Sequence, residues 1–113
     1  MAYSYKTLTR NPSFCMLPWI HLYANSDGSA WPCCETNFQP VGNVNEQTFE
    51  DIWNSEKLRD IRLKMLSGEA VEGCVRCYHN ESAGFKSFRQ DSNFRFAKHF
   101  DAINKTEADG TAP

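Results

Sequence analysis

Hydrophobic and polar positions first show order between residues 14 and 34. Trp19, Ile20, His21, Leu22 and Tyr23 form a β-prone run, Asn25-Ser26-Asp27-Gly28 carries the Asp-Gly signal of a tight hairpin, and Ser29 to Cys34 supply a return strand. This pattern predicts a strand pair over residues 14–34, with Cys15 and Cys33 near each other at its open end. Residues 35–46 are rich in Asn, Gln, Pro and Gly and read as a loop. The period then becomes helical. Thr48 is an expected N-cap, with Asp51 as a weak capping-box partner, for a short helix through Phe49, Ile52 and Trp53. Ser55 caps a second helix whose Leu58, Ile61, Met65 and Leu66 form one apolar stripe, and Gly68 is placed to end it. From Tyr78 to Phe100 the chain reads as partly helical, with aromatics at Phe85, Phe88, Phe94, Phe96 and Phe100.

These elements predict a small α+β domain: an N-terminal β-hairpin followed by two or three helices. Residues 1–13 read as an irregular leader, residues 14–100 as the folded unit, and residues 101–113 as a flexible tail or linker. A chain of 113 residues suffices for one modest core, and 41% hydrophobic with 23% charged residues suits a globular protein. Trp19, Trp31 and Trp53 are expected in that core.

Net charge changes the picture by exclusion. A formal charge of -2 argues against salt-driven nucleic-acid binding, and Lys86, Arg89, Arg95 and Lys98 read as a solvated helix face. No apolar run reaches the roughly 20 residues that span a bilayer, and Met1 to Thr9 lack a signal-peptide core. A cytoplasmic, reducing location is therefore expected. Glu50, Asp51 and Glu56 read as helix-start charges. No Ser-His-Asp set, phosphate loop or catalytic carboxylate pair stands out.

Five cysteines in a reducing compartment point to metal. Cys74-Val75-Arg76-Cys77 presents two thiolates from one tight turn, a geometry shared by zinc knuckles, iron–sulfur sites and redox dithiols. Cys15 and the Cys33-Cys34 pair supply the rest of a four-thiolate set. Alternation along a strand sends only one of Cys33 and Cys34 into the site, and the other is expected to be a buried, inert thiol. Four thiolates suit a tetrahedral zinc as well as a [4Fe–4S] cluster. A zinc-binding interaction module and a thiol redox protein using Cys74 and Cys77 thus stand as alternatives. His21 is expected to pack or hydrogen-bond in the hairpin, His79 to lie near a cluster sulfur at most, and His99 at the surface.

The pattern Cys15-x12-Gly28-x4-Cys33, followed by Cys74-x2-Cys77, resembles the twitch domain, the shortened form of the SPASM auxiliary-cluster domain of radical S-adenosylmethionine (radical SAM) enzymes. The stretches from Phe14 to His21, Pro32 to Cys34, Gly42-Asn43, Ile52 to Ser55 with Arg62, and Gly73 to Cys77 carry the likeness, over about residues 13 to 90. The resemblance implies one auxiliary [4Fe–4S] cluster held by Cys15, Cys33, Cys74 and Cys77, and it selects Cys33 over Cys34. The Cys-x3-Cys-x2-Cys loop of the catalytic domain is absent. The chain therefore resembles an accessory part, fragment or stand-alone, not catalytic alone. Its implied partner is a radical SAM catalytic domain or protein, encoded downstream, acting on a peptide or small-molecule substrate.

Overall fold

The computed structural model describes residues 3–35 and 37–113; Met1, Ala2 and Thr36 lie outside the described residues. The fold is α+β. Its elements in chain order are α1 (Tyr5–Arg10), α2 (Leu17–Ile20), β1 (Tyr23–Ala24), β2 (Ser29–Trp31), β3 (Gly42–Asn43), α3 (Phe49–Trp53), α4 (Glu56–Ser67), α5 (Val75–Ser82), α6 (Phe88–Arg95) and α7 (Asp101–Asn104). Single 3-10 turns cover Glu72–Cys74 and Ala97–His99. No helix among the described residues is long and apolar enough to cross a membrane.

The hairpin is present but shorter than expected. β1 pairs antiparallel with β2 through Tyr23↔Trp31 and Ala24↔Ala30. Gly28 turns the corner at φ +92, a region that glycine enters without the penalty other residues meet. The residues before Tyr23 are not a strand. Pro18 sits in the first turn of α2, where its missing N–H leaves no bond unmade and its fixed φ suits a helix. Leu17, Pro18 and Trp19 bury together, so a helical turn replaces the predicted first half of the strand. The expected loop 35–46 also holds order: Gly42–Asn43 adds a third strand to β2, through Ser29↔Asn43 and Ala30↔Gly42.

The middle of the chain follows its pattern closely. The Thr48 hydroxyl accepts from the Asp51 amide at the start of α3, and the Ser55 hydroxyl accepts from Leu58 at the start of α4. Gly68 ends α4 at φ +83. Leu58, Ile61 and Met65 are buried, with Leu66 packed beside them. Arg62 lies on the same stripe with no exposed surface. Trp19 and Trp53 are core residues and Trp31 is half-buried.

Both ends are more structured than composition indicates. The expected irregular leader holds helix α1, capped by Ser4. The expected flexible tail folds back over α3 and α4. Ile103 is fully buried, and the Asn54 side chain pairs with both polar groups of the Ala112 backbone, at 3.0 and 3.1 Å. The Trp53 indole N–H donates to the Pro113 carbonyl at 2.9 Å. Residues past Tyr78 form two principal helices, but Phe85, Phe88 and Phe94 are exposed and not core.

Candidate metal centre

Cys15 lies in the loop that enters α2. Its neighbours are clamped from across the fold by α6: the Asn93 side chain accepts from the Met16 amide at 2.9 Å and donates to the Phe14 carbonyl at 3.1 Å. Arg89, one turn earlier on the same face, donates to Phe14 at 2.8 Å and to Asn11 at 3.2 Å. The rest of the guanidinium makes a two-pronged ion pair with Glu81 of α5, at 2.8 and 2.6 Å. Arg89 is therefore buried, against the expectation of a solvated face. Burial raises the Glu81 carboxyl, but the bonds from Arg89 and Ser87 outweigh it and hold the group below its ordinary value.

Cys33 follows the short β2 strand, past Pro32. The Glu35 amide donates to its sulfur at 3.4 Å. Cys74 ends the 3-10 turn and Cys77 sits on the first turn of α5. Gly73 fixes that turn against the core, since a side chain there would overlap the Phe38 ring. Gly73→Ala is expected to destabilise the chain by about 1–3 kcal/mol through overpacking, read as a lower urea midpoint.

The four predicted thiols come together. Cys15, Cys33, Cys74 and Cys77 line one small cavity, walled by Leu17, Pro18, Pro32, Phe38, Met65 and Phe88, with Glu35 and Arg89 at its polar side. Cys34 is exposed and does not line it, so the residue expected as a buried thiol points to solvent. All five cysteines are free. His21 bonds the Pro32 carbonyl across the hairpin at 3.2 Å, while His79 and His99 are exposed. Among the described residues, no three His, Cys, Asp or Glu side chains are gathered closely enough to grip a single ion.

Burial pushes the Cys15 thiol up to about 12 and the Cys33 thiol up to about 11. Cys74 and Cys77 are also raised, burial again being the main cause. The sulfurs add to this: Cys33 and Cys77 oppose ionisation of Cys15, and Cys15 and Cys33 oppose that of Cys74. Amides of Leu17, Glu35 and Arg89 act the other way, on Cys15, Cys33 and Cys77 respectively. The Tyr78 hydroxyl, beside Cys74, does the same. The cavity thus supplies donors for four thiolates and lacks only the positive charge that would hold them ionised. Without metal, the folded thiols stay protonated where unfolded ones ionise, near pH 9. Apo-protein stability is therefore expected to be full below about pH 9 and to fall as pH rises toward 11–12. Urea titrations of the apo chain at about pH 7 and about pH 10 check the sign.

A cavity lined by four cysteines, with amides beside three of the sulfurs, has the donors of a thiol-lined metal or cluster site. Residues 15–78, over half of the chain and including all four cysteines, match the SPASM family, described as an iron-sulfur cluster-binding domain. The chain belongs to that family. No curated protein and no solved structure matches it.

Arg89 and Asn93 are the site-positioning residues that sequence reasoning passed over. The available signal was their spacing of four, which places both on one helix face. Nothing in the sequence marked that face as turned inward.

Proposed function

We propose that the chain binds one [4Fe–4S] cluster through Cys15, Cys33, Cys74 and Cys77, as the accessory domain of a radical SAM enzyme. The carrying observation is the single cavity shared by these four thiols, with Cys34 outside it. Four cysteines on one cavity could serve a zinc or a cluster, and membership of an iron-sulfur cluster-binding family favours the cluster. Raised thiols disfavour the redox-dithiol reading, because thiol–disulfide exchange relies on an accessible, readily formed thiolate. A bound cluster would supply one-electron transfer. The protein's own part is to exclude water with Leu17, Phe38, Met65 and Phe88, and to set the charge on sulfur with the surrounding amides.

In the parent enzyme the domain serves electron transfer or the positioning of a peptide or small-molecule substrate beside the radical SAM catalytic domain, in the cytoplasm. Four cysteines already match four irons, so direct coordination of substrate is not its main role. Anaerobic loading with ferrous iron and sulfide is the test. The expected result is a brown protein with four irons and four sulfides per chain and broad absorbance near about 400 nm. A colourless protein that takes one zinc and no sulfide would overturn the reading. The partner is tested separately: the gene downstream should encode a Cys-x3-Cys-x2-Cys motif, and its product should bind this chain.

A further inference from the structure

One side of the cavity carries a group that four-cysteine ligation leaves unexplained. Glu35 lines the same space as the thiols, and its Oε2 is buried with no hydrogen-bond partner among the described residues. Burying a carboxylate oxygen without a donor or cation is costly. Arg89, the cation that lines the same cavity, is already committed to Glu81, Asn11 and Phe14. Glu35 shares this cavity with Cys33 and Cys77. Against a set of free thiols this placement is unfavourable. Against a cationic iron it is favourable, because carboxylate oxygen is an established iron ligand.

Cys33 is the thiol that a neighbour could replace. Cys15, Cys74 and Cys77 are buried, whereas Cys33 is only half-buried and is followed by exposed Cys34. Its loop carries Glu35 two residues on, with the Glu35 amide already turned to the Cys33 sulfur at 3.4 Å.

We propose that Glu35 is a reserve oxygen ligand for the iron that Cys33 holds. In the exchange the iron–sulfur bond to Cys33 breaks and an iron–oxygen bond to Glu35 forms. Cys33 leaves as thiolate, and no electron moves. This rests on the cluster reading above, and its failure is distinguishable, because every comparison is made against a wild-type chain that has taken up the cluster.

The chains are loaded anaerobically with ferrous iron and sulfide, and iron and sulfide are counted per folded chain, with Mössbauer spectra of the product. Cys33→Ala is paired with Cys34→Ala so that the neighbouring thiol cannot substitute. The Cys33→Ala/Cys34→Ala chain is expected to keep four irons, and the same chain with Glu35→Gln to drop to three or fewer. Equal iron content in these two chains would overturn the proposal. A second measurement keeps all thiols in place: iron release to a chelator from Glu35→Gln against wild type. The variant is expected to lose iron about tenfold faster, the lower end of what removing a supporting group costs a metal site. Equal release rates would overturn the proposal as surely as equal iron content.

Discussion

Cys74→Ala is expected to abolish retention of the cluster, while Cys34→Ala leaves it unchanged. Cys74 is 7% exposed and sits where the 3-10 turn meets α5, held in place by Gly73 against Phe38. Its sulfur shares the cavity with those of Cys15, Cys33 and Cys77. Without it, the proposed cluster would be one thiolate short in a cavity that Phe38 and Met65 line with apolar surface. The loss should exceed the roughly 10–100-fold in affinity that follows when a supporting group is removed. The apo chain itself should lose only about 1 kcal/mol, since the deleted atom leaves a small cavity. Circular dichroism should therefore stay near wild type while iron and visible absorbance disappear. Cys34, exposed and outside the cavity, is the internal control. Two variants with the same iron content would sink the four-thiol assignment.

The architecture explains why a short chain can hold such a site. The family match closes at Tyr78, yet the cavity is completed by residues beyond it. Phe88 and Arg89 line it, and Asn93 holds the backbone on both sides of Cys15. Helix α6 thus acts as a brace across the N-terminal loop. Arg89 ties that brace to α5, which carries Cys77, through Glu81. The loop bearing Cys15 and the helix bearing Cys77 are therefore joined by polar bonds through Arg89.

What was legible in the sequence is what depends on short spacings. Thr48, Ser55 and Gly68 mark helix ends through bonds or dihedrals within four residues, and each acts as its residue type requires. Gly28 turns the hairpin for the same reason. Cys74-x2-Cys77 was legible as a pair, but only the family resemblance chose Cys33 over Cys34, and Cys74 and Cys77 share one cavity with Cys15 and Cys33. The failures are tertiary. The β-prone run at Trp19 yields to Pro18 and to burial of Leu17 and Trp19 against the core. The polar tail docks because Asn54 and Trp53, far away in sequence, offer partners for the backbone of Ala112 and Pro113. Arg89 resembles any surface arginine until Glu81 and the Phe14 carbonyl are brought to it. Cys34 is exposed because no regular strand continues past Trp31, so alternation does not decide which way it points.

Arg62→Ala is expected to remove about 3–5 kcal/mol of stability, enough to leave a domain of roughly 5–15 kcal/mol close to unfolding. Arg62 occupies the apolar stripe of α4, one turn after Leu58 and three residues before Met65, and has no exposed surface. No carboxylate pairs with it among the described residues. Its fork donates instead to Pro18 at 2.9 Å, Trp53 at 2.7 Å, Gly110 at 3.1 Å and the Asn54 side chain at 2.8 Å. The guanidinium also lies 4.8 Å from the centre of the Trp53 ring. Burial lowers it to about 10, which still leaves it charged at neutral pH. One side chain thereby joins α2, α3, α4 and the C-terminal segment. Alanine would leave a cavity and strand several buried carbonyls without donors. Lysine keeps the charge but places its three donors on one atom, which cannot span acceptors on three segments as the planar fork does. Arg62→Lys is therefore expected to recover less than half of the loss. Because the partners are neutral dipoles, the effect should change little with salt, unlike that of an exposed ion pair. Urea denaturation of apo chains at low and high salt measures all three expectations. A loss below about 1 kcal/mol for Arg62→Ala would show that the tail and α2 do not depend on this residue.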